Sequence, residues 1–255
     1  MADFVRKDSI VRAIWGASDT ILFVFAGSAA EFALNKSVDW LYFTGRLPQD
    51  PIGRLFSTVE YARRIVFAAE DKAHEAIDQI TRIHQGVEKA RGAVIPPEAY
   101  RDVLYMLIHY SIASYTLLRR PMREADQEEV YDVFYRMGQR MGLEALPSSY
   151  QAWLPDREKH MQDNLLRSHF TDDLFKQYRK HLGGFRYRIL LEAQKLVVPA
   201  RVAELLSFTS PQYLRPVVPL YKQSRALHID QPIRWLLLPA AYRERIDALD
   251  RPPLS

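Results

Sequence analysis

The 255-residue sequence contains no cysteine. That absence excludes disulfides, thiolate haem ligation, iron–sulfur clusters, Cys-based zinc sites, covalent haem attachment and thiol nucleophiles together. Glycine-built phosphate cradles are missing too, with no G-x-G-x-x-G and no Walker loop. Neither H-E-x-x-H nor G-x-S-x-G occurs, which removes the common zinc-hydrolase and nucleophile-elbow chemistries. A di-iron bundle needs paired Glu-x-x-His motifs, and the nearest match is a lone Asp71-x-x-His74. No apolar run is long. The most hydrophobic stretch, Ile21 to Ala30, runs into Glu31, Asn35 and Lys36, far short of the ~20 residues of a membrane span. The first eight residues, Met1 to Asp8, are of mixed charge and unlike a secretory signal. These features predict a cytoplasmic protein with no integral membrane segment.

What is present is an ordinary globular composition, 48% hydrophobic and 26% charged, with a chain long enough to bury its own core. Residues 1–173 carry 21 basic and 25 acidic side chains, whereas 174–255 carry 14 and 6. A basic C-terminal third suits an anionic ligand or a peripheral membrane contact. Nucleic acid is not expected, because no recognised motif accompanies the charge.

Strand-like alternation is nearly absent, and apolar residues recur at spacings of three and four. The pattern predicts an all-α fold, a single large helical domain over 1–210 with a Pro-rich C-terminal extension over 211–255 packed on it. Helices are expected over Phe4–Trp15, Asp19–Trp40, Pro51–Ala68, Asp71–Gly92, Pro97–Leu118, Asp126–Gly142 and, in shorter pieces, Ser149–Leu166. A long one follows from Thr171 to Val198, broken at Gly183-Gly184, with a last turn over Pro199–Ser207 and a further helix near Ala240–Leu249. Asp50-Pro51 reads as an N-cap with Pro at the first helical position. The segment Val103–Leu118 is apolar nearly all round, which marks it as central.

Of seven histidines, His74, His160, His169, His181 and His228 sit in polar surroundings and are expected to be exposed. His84 follows Ala73, Ile77 and Ile80 on the apolar stripe of its helix, and His109 lies within Leu107-Ile108-His109-Tyr110. By residue pattern alone, each is either a hydrogen-bonded core histidine or a ligand. Arg54 and Thr58 are four apart and share a helical face. Such a pair suits a carboxylate or propionate, or is an ordinary surface arginine with a back-bonding threonine.

Four features in order resemble the oxygenase family of the latex-clearing rubber oxygenases and the mycophenolic-acid-pathway oxygenase, also catalogued as a domain of unknown function. They are Phe25-Ala26-Gly27-Ser28-Ala29-Ala30 ahead of Asp50-Pro51, Arg54-Leu55 and Thr58; then Ile83-His84-Gln85-Gly86-Val87; then the apolar helix with His109; and last Met141-Gly142-Leu143 with Leu146-Pro147. Together they span roughly residues 15–200. The resemblance implies a haem-dependent oxidoreductase, with non-covalent haem b whose iron is bound by His84. It places Arg54 and Thr58 beside the haem and His109 near the pocket. Where the rubber oxygenases have a lysine before the motif threonine, this chain has Ser57, too short to reach iron. Glu31 and Asp39 are the two candidates for the family's catalytic carboxylate. The His-Pro of the family's first core helix is replaced by Gly27-Ser28-Ala29. The implied activity is an oxygenase using dioxygen on an apolar, isoprenoid-like small molecule. A non-enzymatic haem-binding or sensor protein, and a helical scaffold with a decayed haem site, are the alternatives.

Overall fold

A computed structural model describes residues 2–43, 45, 49–226, 244, 248 and 249. Among them the chain is all-helical, and the only β pairing is two isolated bridges, Asp3 with Ala69 and Asn35 with Leu165. The helices are α1 (Ile10–Trp15), α2 (Ser18–Phe32), α3 (Asp39–Phe43), α4 (Pro51–Phe67), α5 (Glu70–Arg91), α6 (Pro97–Leu118), α7 (Glu124–Arg140), α8 (Tyr150–Asn164), α9 (His169–Val197), α10 (Ala200–Leu205) and α11 (Val217–Ala226). None of the described helices is long and apolar enough to cross a membrane.

The central pair is α2 against α6, the most extensive helix contact in the molecule. The helices approach closely because Gly27 has no side chain: a Cβ there would lie 2.1 Å from Cδ1 of Tyr110. α7, α8, α9 and α11 also pack on α6, so it buries residues on every side, from Leu104 through Tyr110 to Leu118. That is why its sequence lacks a polar face. α4 and α5 lie side by side, and α9 spans α2, α4 and α6.

Several helix ends differ from expectation, each for a local reason. The first helix starts at Ile10, because the Ser9 hydroxyl accepts from the Val11 N–H; Phe4 is instead buried, its N–H donating to Ala68. The predicted helix over Asp19–Trp40 is two helices. Asn35 interrupts it, accepting from the Ser37 N–H and donating to Asp102, both at 2.8 Å, and a 3₁₀ turn, Lys36–Val38, leads into α3. Asp126 and Thr171, where two helices are expected to begin, stand three residues inside, each accepting from the N–H of the true cap, Arg123 or Ser168. The break at Gly183 is present, with φ 74° and ψ 164°. The expected helix near Ala240–Leu249 lies mostly outside the described residues.

Two buried charges tie distant parts of the chain together. Asp19 accepts from Arg119 at the end of α6 (2.6 Å) and from Tyr221 (2.8 Å) and Arg225 (3.2 Å) on α11. Arg63 donates to the backbone carbonyls of Trp15 and Leu249.

Candidate functional site

The start of α4 fixes the register of Arg54, Ser57 and Thr58. The Asp50 carboxylate accepts from the Gly53 N–H at 2.8 Å, and Pro51 occupies the first turn, where a missing N–H costs nothing. A Cβ at position 53 would sit 1.9 Å from Oδ2 of Asp50, so any larger residue there must displace the capping carboxylate. Ser57 and Thr58 turn their hydroxyls back on the helix, donating to the Gly53 (3.0 Å) and Arg54 (3.3 Å) carbonyls.

Where α4 packs on α5, Arg54 lies near enough to His84 for its charge to act on the imidazole. The imidazole is half-buried, its ring centroid 5.0 Å from that of Tyr100. Burial first, and then the Arg54 charge, hold His84 below its ordinary pKa, with Glu88 opposing. The ring is therefore neutral, and its Nδ1 is buried without a hydrogen-bond partner. Glu88 itself is engaged by the Ile95 N–H (2.9 Å) and the Tyr100 hydroxyl (3.4 Å).

His109 belongs to a second cluster. It stands nine residues beyond Tyr100, about 13.5 Å further along α6. Its neighbours are on other elements. Glu31 of α2, fully buried, accepts through Oε2 from the Tyr110 hydroxyl (2.8 Å) and from Arg157 of α8 (2.5 Å). Burial works against the Arg157 charge, but the Glu31 carboxylate more than offsets it. Burial and then Glu31 push the Tyr110 phenol well above its ordinary range. His109 is pushed down to about 3, by burial and then by Arg157, with the Val197 carbonyl opposing. His109 and Arg157 also line a pocket of about 580 Å³ whose other walls include Ile112, Trp153 and Met161.

Asp39 lies apart from both clusters. It pairs with Arg91 at 2.6 Å, and that guanidinium covers the Trp40 ring at 4.0 Å. Thus the structure brings Arg54 to His84, joins Glu31 to His109 through Arg157 and Tyr110, and gives Asp39 its own ion pair. Sequence reasoning missed Arg157 and Tyr110. It also placed His160 at the surface, whereas His160 is buried, 2.8 Å from Asp102, in a network with Asn164 and Asn35. The signal was available: Trp153, Arg157, His160, Met161 and Asn164 follow helical spacing along α8. Among the described residues, no group of three or more His, Asp or Glu side chains is placed to hold a metal ion.

The sequence model of the catalytic domain described as ER-bound oxygenase mpaB/B′/Rubber oxygenase matches residues 15–247. The chain belongs to that oxygenase family. No curated protein matches it. Membership in the mpaB/rubber oxygenase family makes this an oxygenase catalytic domain, and such a domain implies dioxygen and a substrate. The match covers α2 to α11 entirely, so both clusters fall inside the oxygenase domain.

Proposed function

We propose that the protein is a haem b-dependent oxygenase acting with dioxygen on an apolar, isoprenoid-like small molecule. The observation that carries the reading is a half-buried His84 with an unpartnered ring nitrogen, near enough to Arg54 across the α4–α5 contact to feel its charge. These residues fit a haem. A neutral imidazole has the lone pair an iron needs, and a ring nitrogen of His84 is buried without a partner, as is Nε2 of His109. A guanidinium beside it suits a propionate. A haem needs one protein ligand, so the absence of a multi-residue metal cluster is compatible with it.

His84 would hold the iron and Arg54 would pair with a propionate, with Thr58 one turn along from Arg54 on the same helical face. When bound, the haem supplies an iron centre that binds and activates dioxygen. Ser57 is committed to its own helix and too short to cap the iron. Both candidate carboxylates are engaged elsewhere: Asp39 pairs with Arg91, and Glu31 is sealed between Arg157 and Tyr110. Glu31 and His109 then keep α2, α6 and α8 in place.

The test is the absorption spectrum of the purified protein with and without hemin, before and after dithionite. A Soret band that moves on reduction is expected in the wild type and absent in His84→Ala. Arg54→Ala is expected to retain haem about tenfold more weakly, the worth of one charge-assisted hydrogen bond. A protein that refuses hemin, or a His84→Ala variant with stoichiometric haem and an unchanged spectrum, overturns the reading. Oxygen uptake with an apolar diene then distinguishes an oxygenase from a haem protein without enzymatic activity.

A further inference from the structure

The basic excess of the C-terminal third has a definite place in the fold. From Leu174 to Leu191 there is no acidic residue, while Lys176, Arg179, Lys180, Arg186 and Arg188 occur within it. Along the first half of α9, Leu174, Tyr178 and Leu182 are buried, at the i, i+4, i+8 spacing of one helical face. Lys176, Arg179 and Lys180, at i, i+3 and i+4, are all exposed on another. Among the described residues, none of these five cations makes an ion pair with an acidic side chain.

The exposed face leads directly into the Gly183 kink. Gly183 has a backbone conformation that side-chain-bearing residues rarely adopt, and a Cβ at Gly183 or Gly184 would have nothing within 4 Å. Directly after the kink stands Phe185, 61% exposed. A phenyl ring held in water next in sequence to a run of exposed cations gains nothing from an isolated fold. It gains from an environment that is apolar inside and negatively charged at its rim.

We propose that the α9 kink is a docking site for an anionic lipid bilayer, with Lys176, Arg179 and Lys180 on the headgroups and Phe185 in the acyl boundary. A folded acidic protein or a nucleic acid accounts for the cations. Neither accounts as well for a single aromatic side chain exposed directly after a bare Gly-Gly pair. Electrostatic attraction of this kind acts over about a Debye length, roughly 8 Å at physiological salt. Salt therefore weakens the first approach, while Phe185 determines whether the contact persists. The inference is independent of any haem at His84.

Co-sedimentation of the full chain with phosphatidylcholine vesicles, with and without 30 mol% phosphatidylserine, tests it. The expected result is binding to the serine-containing vesicles alone, lost in the Lys176→Glu, Arg179→Glu, Lys180→Glu triple variant. Phe185→Ser should weaken it about tenfold or more. All four positions are exposed, so unchanged far-ultraviolet circular dichroism is expected of each variant. Absence of vesicle binding overturns the proposal. Vesicle binding indifferent to Phe185→Ser also overturns it, as does tighter binding to single-stranded RNA at the same salt, which assigns the segment to nucleic acid.

Discussion

At the scale of single residues, the buried ion pair between Glu31 and Arg157 is the most consequential contact that the linear sequence conceals. The two lie 126 positions apart. Arg157 follows the helical spacing of Trp153, His160, Met161 and Asn164, but the sequence does not name its counterion, and an arginine is interred only when a distant partner neutralises it. Glu31→Gln is expected to destabilise the fold by about 3–5 kcal/mol, since it leaves the Arg157 charge buried without a counterion. The Glu31→Met, Arg157→Met double variant should recover most of that loss. Urea denaturation of Glu31→Gln and of the double variant checks both statements, and a Glu31→Gln cost below about 1 kcal/mol would count against them. His84 and His109 were legible as distinctive, because each interrupts an apolar stripe. Their separation into two clusters was not, since it depends on which face of α6 meets α5 and which meets α8.

At the scale of helices, the ends set by backbone chemistry were readable and those set by tertiary partners were not. Asp50-Pro51 opens α4, Pro97 opens α6, Gly92 closes α5 with φ 70°, and Gly183 breaks α9. Each of these signals is contained within a few residues. By contrast, α2 stops where Asn35 finds Asp102, 67 positions away. The polar residues Asn35-Lys36-Ser37 do not reveal that the partner lies on another helix. The α2–α6 contact makes its own prediction. Gly27→Ala puts a methyl group into the Tyr110 ring, and is expected to cost about 1–3 kcal/mol through overpacking, despite alanine's better helix propensity. An unchanged or raised melting temperature for Gly27→Ala would show that the helices separate without penalty.

At the scale of the whole molecule, the two buried neutral histidines give stability a dependence on pH. Both have folded-state pKa values below the unfolded value of about 6.5. The unfolded chain therefore takes up protons first as pH falls, and stability present above about 6.5 is lost progressively below it. For His109 the loss continues toward about 3. Asp126, held low chiefly by Arg123, adds to acid loss only in the carboxylate range. Between pH 6.5 and 5 the histidines dominate, each contributing at most about 1.4 kcal/mol per pH unit. His109→Leu is expected to flatten that slope in urea-denaturation midpoints at pH 7, 6 and 5; a slope unchanged by the substitution would place the titration elsewhere. The all-helical class and the C-terminal excess of positive charge were both readable at this scale, since periodicity and charge survive as sums even when individual partners are unknown.

The Asp19 carboxylate, gathering Arg119, Tyr221 and Arg225, has a consequence for how the protein is made. During synthesis at about 5–20 residues per second, α2 leaves the ribosome roughly 10–40 s before α11 exists. Throughout that interval the aspartate at the head of α2 lacks two of its three side-chain cations and donors from other helices, and the apolar face of α2 lacks α6, then α8, then α9. The nascent chain therefore carries this strongly apolar helix incompletely covered until the later helices have been made, and a chaperone that shields the first forty residues would act during that interval.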